Sequence, residues 1–208
     1  NGKTNGEVYK VKPGNSKYVD INKDGVYNDA DQGIIGCGQP TFNWGWNNTF
    51  NYKNFDFSFF VVGFHGFDIY NATHQMGYNL IKSQQVAGVT PMRELLNRWT
   101  PTNTNTNIPG FVNGGTENKD FFSTRFVENG SFIKMKSITL GYTLPETACR
   151  ALGITNLRVY ASVQNPFHIT NYSGLDPEAT MGSPLVQGVD WGSYPNSRNY
   201  LIGLNFSF

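Results

Sequence analysis

The fold is decided by residues 41–61, Thr41-Phe-Asn-Trp-Gly-Trp-Asn-Asn-Thr-Phe-Asn-Tyr-Lys-Asn-Phe-Asp-Phe-Ser-Phe-Phe-Val61. Phe42, Trp44, Trp46, Asn48, Phe50 and Tyr52 share one parity, while Thr41, Asn43, Gly45, Asn47, Thr49 and Asn51 share the other. This strict period of two is the mark of a strand with two chemically different faces. After Lys53-Asn54 the alternation resumes, with Phe55, Phe57, Phe59 and Val61 against Asp56, Ser58 and Phe60. Two such runs across a short break predict a β-hairpin over 41–64.

The same habit recurs outward along the chain. Ile138, Leu140, Tyr142 and Leu144 oppose Ser137, Thr139, Gly141 and Thr143, and Leu157, Val159, Ala161 and Val163 oppose Arg158, Tyr160, Ser162 and Gln164. These runs predict a second hairpin over 132–165. A last strand over 198–208 carries Tyr200, Ile202, Leu204, Phe206 and Phe208 on one face. Segments 1–38, 65–131 and 166–197 read as long loops rich in Gly, Asn and Pro, which in a compact domain usually carry function. Within 65–131, Thr90 is a candidate N-cap ahead of Pro91. Met92, Leu95, Leu96 and Trp99 recur at i, i+3, i+4 and i+7, which predicts a short amphipathic helix.

Composition narrows the classes. The 208 residues carry a formal net charge of +1 and 15% aromatic residues. Without a basic cluster, nucleic acid is not expected as a partner. The longest apolar stretch, Phe57 to Phe64, is far short of the roughly 18–20 residues a spanning helix needs. The opening Asn1–Gly6 reads as loop, not as a charged leader, so the chain is expected to be a mature soluble domain or a piece of a longer polypeptide. Cys37 and Cys149 match no metal spacing.

Strand length decides which solvent the aromatic faces meet. Strands of soluble proteins usually run about five or six residues, whereas these run to about ten; at about 3.3 Å per residue and a tilt near 40°, ten residues rise roughly 25 Å, the height of an outer-membrane barrel's apolar band. Aromatic residues cluster at the strand ends, with Phe50, Tyr52, Phe55, Tyr142, Phe206 and Phe208 forming one girdle and Phe42 and Trp44 near the other rim. The short turns and the carboxyl terminus then share one side, and the long loops the other. Lys134 and Lys136 share parity with Ile138; a lysine at the bilayer midplane costs about 2–4 kcal/mol but little near the interface, so both are expected at or above the outer rim. An open sheet edge is not tolerated in lipid. The expected fold is therefore all-β: about five antiparallel C-terminal strands of a larger transmembrane β-barrel, with long extracellular loops containing a short helix.

Five stretches carry a family resemblance: Tyr18-Val-Asp-Ile-Asn-Lys-Asp-Gly-Val-Tyr-Asn-Asp-Ala-Asp31, Leu96-Asn-Arg-Trp-Thr-Pro101, the run from Arg125 to Pro145, Asn171-Tyr-Ser-Gly-Leu-Asp-Pro177, and Gly203-Leu-Asn-Phe-Ser-Phe208. In this order they resemble the C-terminal barrel segment of the SusC/RagA family of TonB-dependent outer-membrane transporters. The resemblance implies an energised importer of oligosaccharides or oligopeptides with a barrel of about 22 strands, a plug domain and a SusD-like lipoprotein lid. It places the chain in the outer membrane of a Gram-negative bacterium, with the long loops extracellular and the carboxyl terminus periplasmic. The partners it implies are the rest of the barrel and plug, the lid, TonB through a region outside this chain, and lipid. It also implies that Phe208 is a sorting signal for barrel assembly.

Candidate site residues are few. Asp20, Asn22, Asp24, Gly25, Val26, Asn28 and Asp31 occupy positions 1, 3, 5, 6, 7, 9 and 12 of an EF-hand-type loop, the spacing that wraps oxygens around a structural Ca2+. The same residues also suit an Asx-rich turn that holds itself without metal. Trp99, Phe111, Tyr172, Trp191 and Tyr194 lie in the long loops and are candidates for contact with substrate or lid. Asp176 and Glu178 around Pro177 read as solvated turn residues, and His65, His74 and His168 form no ligand spacing. No nucleophile motif or phosphate loop is present, so no catalytic residue is assigned and no enzyme is expected. The sequons at Asn47, Asn71, Asn129, Asn171 and Asn205 are read as chance, and both cysteines are expected to be free thiols on opposite sides of the membrane. Two other readings remain open: a secreted carbohydrate-binding β-sandwich with structural calcium, and a passive porin-like channel.

Overall fold

The computed structural model describes residues 13–25, 28–78, 91–110, 123–151, 153–181 and 186–208. They fall into two compact units, Asn1–Gly36 with Asn71–Val127, and Cys37–Tyr70 with Glu128–Phe208.

The second unit is built on long strands: β1 (Phe42–Tyr52), β2 (Phe55–His65), β5 (Phe132–Thr143), β6 (Asn156–Gln164) and β9 (Asn199–Ser207). They form one antiparallel sheet in the order β1-β2-β5-β6-β9, and β7 (His168–Thr170) continues along β5 beyond the end of β6. A smaller sheet places β3 (Asp68–Asn71) between β4 (Val127–Asn129) and β8 (Val189–Asp190). The predicted strand pairs therefore form, with additions. The turn of the 132–165 hairpin holds a helix, α2 (Glu146–Ala151), that buries Cys149, and the 65–131 and 166–197 loops contribute β3, β4, β7 and β8.

The register puts the aromatic parity of every long strand on one face. Phe50 pairs Phe57, Phe57 pairs Leu140, Leu140 pairs Ala161 and Ala161 pairs Ile202. This face stays uncovered: Trp46 is 55% exposed, Leu140 51%, Ile202 84% and Leu204 61%. A sandwich would close a second sheet over these side chains. Instead the hydrophobic core, Phe67, Ile69, Phe132 and Tyr172 with Phe64 and Met181 against it, gathers at the loop end of the sheet. Tyr52, Phe55, Tyr142, Phe206 and Phe208 mark the turn end of the apolar face, where the Phe55 and Tyr142 rings meet at 4.6 Å. Phe42 stacks on His65 at the other end, 4.9 Å between ring centroids. Among the described residues no helix is long and apolar enough to cross a membrane.

The opposite face carries the polar side chains, interspersed with Phe60, Val62 and Leu201. The Thr139 and Ser162 hydroxyls meet at 2.8 Å, and the Arg158 guanidinium donates to both Asp56 oxygens, at 2.9 and 2.5 Å. That pair spans the backbone of Gly141, where an added Cβ would collide with both side chains. Gly141→Val is therefore expected to break the pair and lower stability by about 1–3 kcal/mol, read as a shifted unfolding midpoint of the refolded protein in detergent. The Tyr160 ring covers Gly203 in the same way and lies 4.9 Å from the Arg158 guanidinium carbon.

The two lysines of β5 correct the sequence expectation. Phe60 pairs Ser137 but Val61 pairs Met135, so Lys136 is an extra residue in a β-bulge. The bulge reverses parity: Ile133 and Met135 join the apolar face, while Lys134, paired with Val62, turns to the polar side. Lys134 lies near the loop end of β5, as expected, but on the opposite face from Ile138. It is buried at 2% exposure.

In the first unit the expected amphipathic helix is a single 3-10 turn, Arg93–Asn97, that buries Leu95 and leaves Leu96 exposed. Thr90 lies outside the described residues. A short α1 (Ala72–Tyr78), which the periodicity does not reveal, begins where the Asn71 side chain accepts from the His74 amide at 2.8 Å. His74 and Tyr78 pack edge to face, both against Phe126. The Tyr78 hydroxyl donates to Glu94, and burial together with that carboxylate pushes its pKa up to about 12.

Candidate binding surface and its supports

The bulge at Lys136 organises the loop end of the second unit. Lys134 Nζ donates to Asp176 Oδ2 at 2.8 Å and to Glu178 Oε2 at 2.7 Å, and Lys136 Nζ donates to Glu178 Oε1. Asn196 adds its backbone amide to Asp176 at 3.1 Å and its side-chain amide to both carboxylates, at 3.2 and 2.9 Å. Two ammonium groups thus face two carboxylates, with each charge paired, as burial demands. Burial alone would raise the Asp176 and Glu178 pKa values, but the lysine ammonium groups outweigh it and hold both below the usual carboxylate range. Asp176 and Glu178 are therefore not solvated turn residues. Asp176 is 4% exposed.

A second anchor follows along the chain. Asp190 accepts from the Tyr172 hydroxyl at 2.5 Å through Oδ2 and from the Gly192 and Ser193 amides at 2.8 and 2.9 Å through Oδ1. Gly192, at φ +88°, supplies the left-handed residue this turn requires. The turn leaves Trp191 and Tyr194 outward, 58% and 90% exposed. Tyr172 is buried, its hydroxyl pKa raised by burial and by Asp190; it supports the turn and offers no free face. Glu128 ties the neighbouring residue, accepting from both the amide and the hydroxyl of Ser173 at 2.8 Å.

Of the aromatic candidates, Trp191 and Tyr194 are exposed, Tyr172 is internal, and Phe111 lies outside the described residues. Trp99, in the first unit, is half-buried against Gly14 and Gly110 and hydrogen bonds to the Ile108 carbonyl at 2.9 Å. Phe208 is exposed beyond the end of β9, its ring edge to face with Phe206. The sequence marks neither Asp190 nor Asn196, and it gives Lys134 and Lys136 no carboxylate partners. The available signal was two lysines on a strand otherwise apolar at that parity, together with the acidic Asp-Pro-Glu.

The EF-hand-like loop closes on itself. Asp20 Oδ2 accepts from the Gly25 amide at 2.8 Å, Asn22 Oδ1 from the Asp24 amide at 3.0 Å, and the two Asp31 oxygens from the Ile21 and Asn28 amides, each at 2.9 Å. Those amides hold the Asp31 carboxyl below its usual range, Asn28 foremost. Among the described residues no three His, Cys, Asp or Glu side chains converge on one point, and Val26 lies outside them. Among the described residues Asp20 Oδ1 is buried without a hydrogen-bond partner. Both cysteines are free, Cys37 exposed and Cys149 buried.

No protein-family model matches the chain. Individual proteins do. TonB-dependent receptor P3 of Formosa agariphila is 35% identical over 202 residues, covering 94% of this chain and 19% of the receptor. TonB-dependent receptor SusC of Bacteroides thetaiotaomicron is 30% identical over 198 residues, covering 95% of this chain and 18% of SusC. The chain therefore spans about a fifth of the length of the relatives it matches. Among solved structures it superposes on the RagAB peptide transporter with a TM-score of 0.73 at 26% identity over 88% of this chain and 19% of that one. On the RagAB peptide importer in its closed-closed state the TM-score is 0.74 at 25% identity over 98% of this chain and 22% of that one. With one apolar face uncovered, a polar face opposite, and likeness to these proteins in both sequence and fold, the chain belongs to the SusC/RagA family of TonB-dependent receptors, as a stretch of their β-barrel wall.

Proposed function

We propose that the chain is the C-terminal part of the barrel of an outer-membrane importer that takes up oligopeptides or oligosaccharides, is energised through TonB and works with a SusD-like lipoprotein lid. The supporting observation is the uncovered apolar face of a single-layer sheet whose relatives are TonB-dependent receptors. The long strands seal the wall against lipid, and the polar face looks toward the lumen and plug. The connections carrying β3, β7 and β8 stand on the extracellular side, and the β1–β2 turn, α2 and Phe208 on the periplasmic side. The free edges of β1 and β9 pair with other strands of the same barrel, since lipid cannot hydrogen bond an open edge. Trp191 and Tyr194 meet substrate or lid, and no residue here is given a catalytic role.

The full transporter, purified in detergent, is expected to bring a surface lipoprotein with it, and cells carrying it should take up oligopeptide or oligosaccharide only while TonB is intact. Uptake that survives loss of TonB would support a passive channel instead. A soluble monomer from residues 1–208 alone would support the carbohydrate-binding sandwich.

We also propose that the 20–31 loop holds Ca2+ in a structural role, through the side chains of Asp20, Asn22, Asp24, Asn28 and Asp31 and the Val26 carbonyl. The unpartnered Asp20 Oδ1 favours this reading. Calcium at 100 times its Kd should stabilise the loop by about 2.7 kcal/mol, seen as protection of its peptide bonds from protease. Asp20→Ala with Asp24→Ala should abolish that protection; no effect of calcium on the wild type would leave the Asx turn alone.

A further inference from the structure

We propose that Lys134, Lys136, Asp176, Glu178 and Asn196 are positioning residues for import: they fasten segments 171–181 and 186–197 to the polar face of the wall as a static shelf that presents Trp191 and Tyr194 at fixed places. This rests on the importer reading for its purpose but not for its geometry.

The connection between β7 and β9 is long enough to be a moving gate, yet its described residues are tied down at both ends. At its start, Asp176 and Glu178 grip Lys134 and Lys136. At its end, Asn196 closes on the same two carboxylates, and Asn165 donates to the Ser197 carbonyl at 3.1 Å. In between, Asp190 binds Tyr172 inside the core, and the Tyr70 amide donates to the Gly188 carbonyl at 2.7 Å. The wall itself is shaped for this fastening, because the β-bulge at Lys136 is what turns Lys134 to the polar side. Releasing the shelf would break the three lysine–carboxylate contacts and the three Asn196 hydrogen bonds together.

The test is hydrogen exchange of the full transporter with its lipoprotein in detergent, followed by mass spectrometry of peptides covering 172–181 and 189–196. In the wild type both should exchange as slowly as β5. Lys134→Ser with Asp176→Ser removes both charges and leaves none unpaired; it should speed exchange in the two segments by about tenfold or more while β5 and β6 stay protected. Lys134→Arg, which keeps the charge, should preserve protection. If the double variant fails to assemble, Asn196→Ala, which removes donors but no charge, carries the same readout. Fast exchange of these segments in the wild type, or unchanged exchange in the variants, would overturn the proposal. Failure of the importer reading would appear separately, as absent uptake by wild-type cells.

Discussion

Lys134→Met should cost about 3–5 kcal/mol of stability, because it strands buried carboxylates. Lys134 and Asp176 have side chains only 3% exposed, and Glu178 shares the same ammonium group. Asn196 still donates to Asp176 but cannot replace a full charge. Removing both partners in favour of apolar groups, as in Lys134→Met with Asp176→Leu, should recover most of the loss, since the desolvation cost of the pair disappears with its attraction. The check is a double-mutant cycle on the unfolding midpoint of the refolded transporter. An additive cycle, in which the second substitution costs as much as it does alone, would contradict a coupled buried pair.

Ile138→Lys should have an effect of similar size for the opposite reason. Ile138 pairs Phe59 and Val163 on the uncovered apolar face, midway along the long strands. On the proposed membrane reading a lysine there would meet hydrocarbon, at a cost of about 2–4 kcal/mol at the bilayer midplane, and the amount of protein assembled in the outer membrane should fall accordingly. Thr139→Lys, one residue along on the polar face, should assemble nearly as well as the wild type. The two variants differ by a single position, so propensity and net charge cancel and only the face distinguishes them.

The strands could be read in the sequence because period-two alternation is local: each side chain declares its face without knowledge of its neighbours, and from Phe42 to Val61 the structure follows that declaration residue by residue. The bulge at Lys136 was not legible. One inserted residue leaves no local mark, and strict parity carried through it placed Lys134 and Lys136 with Ile138. The reward for breaking parity lies some 40 residues away in Asp176 and Glu178, which on the local sequence around Pro177 read as solvated turn residues. Tyr172, a loop candidate for contact with substrate or lid, is likewise internal, its hydroxyl donating to Asp190. At Arg93–Asn97 the apolar spacing was real but too short for propagation to offset helix nucleation, and a 3-10 turn resulted. Recognition of the family was more secure than any single site, because it drew on motifs spread over nearly the whole chain.

Whether the apolar face meets lipid can be read from a spin-label scan along β9. In a Cys37→Ser background, cysteine is placed singly at residues 199–207 of the full transporter, labelled with a nitroxide and reconstituted in phospholipid vesicles. Collision rates are then measured with oxygen, which partitions into lipid, and with a water-soluble nickel chelate. Strict alternation is expected, with oxygen favoured at Tyr200, Ile202, Leu204 and Phe206 and disfavoured at Leu201, Gly203 and Asn205. A profile without alternation, or nickel favoured at Ile202 and Leu204, would contradict it.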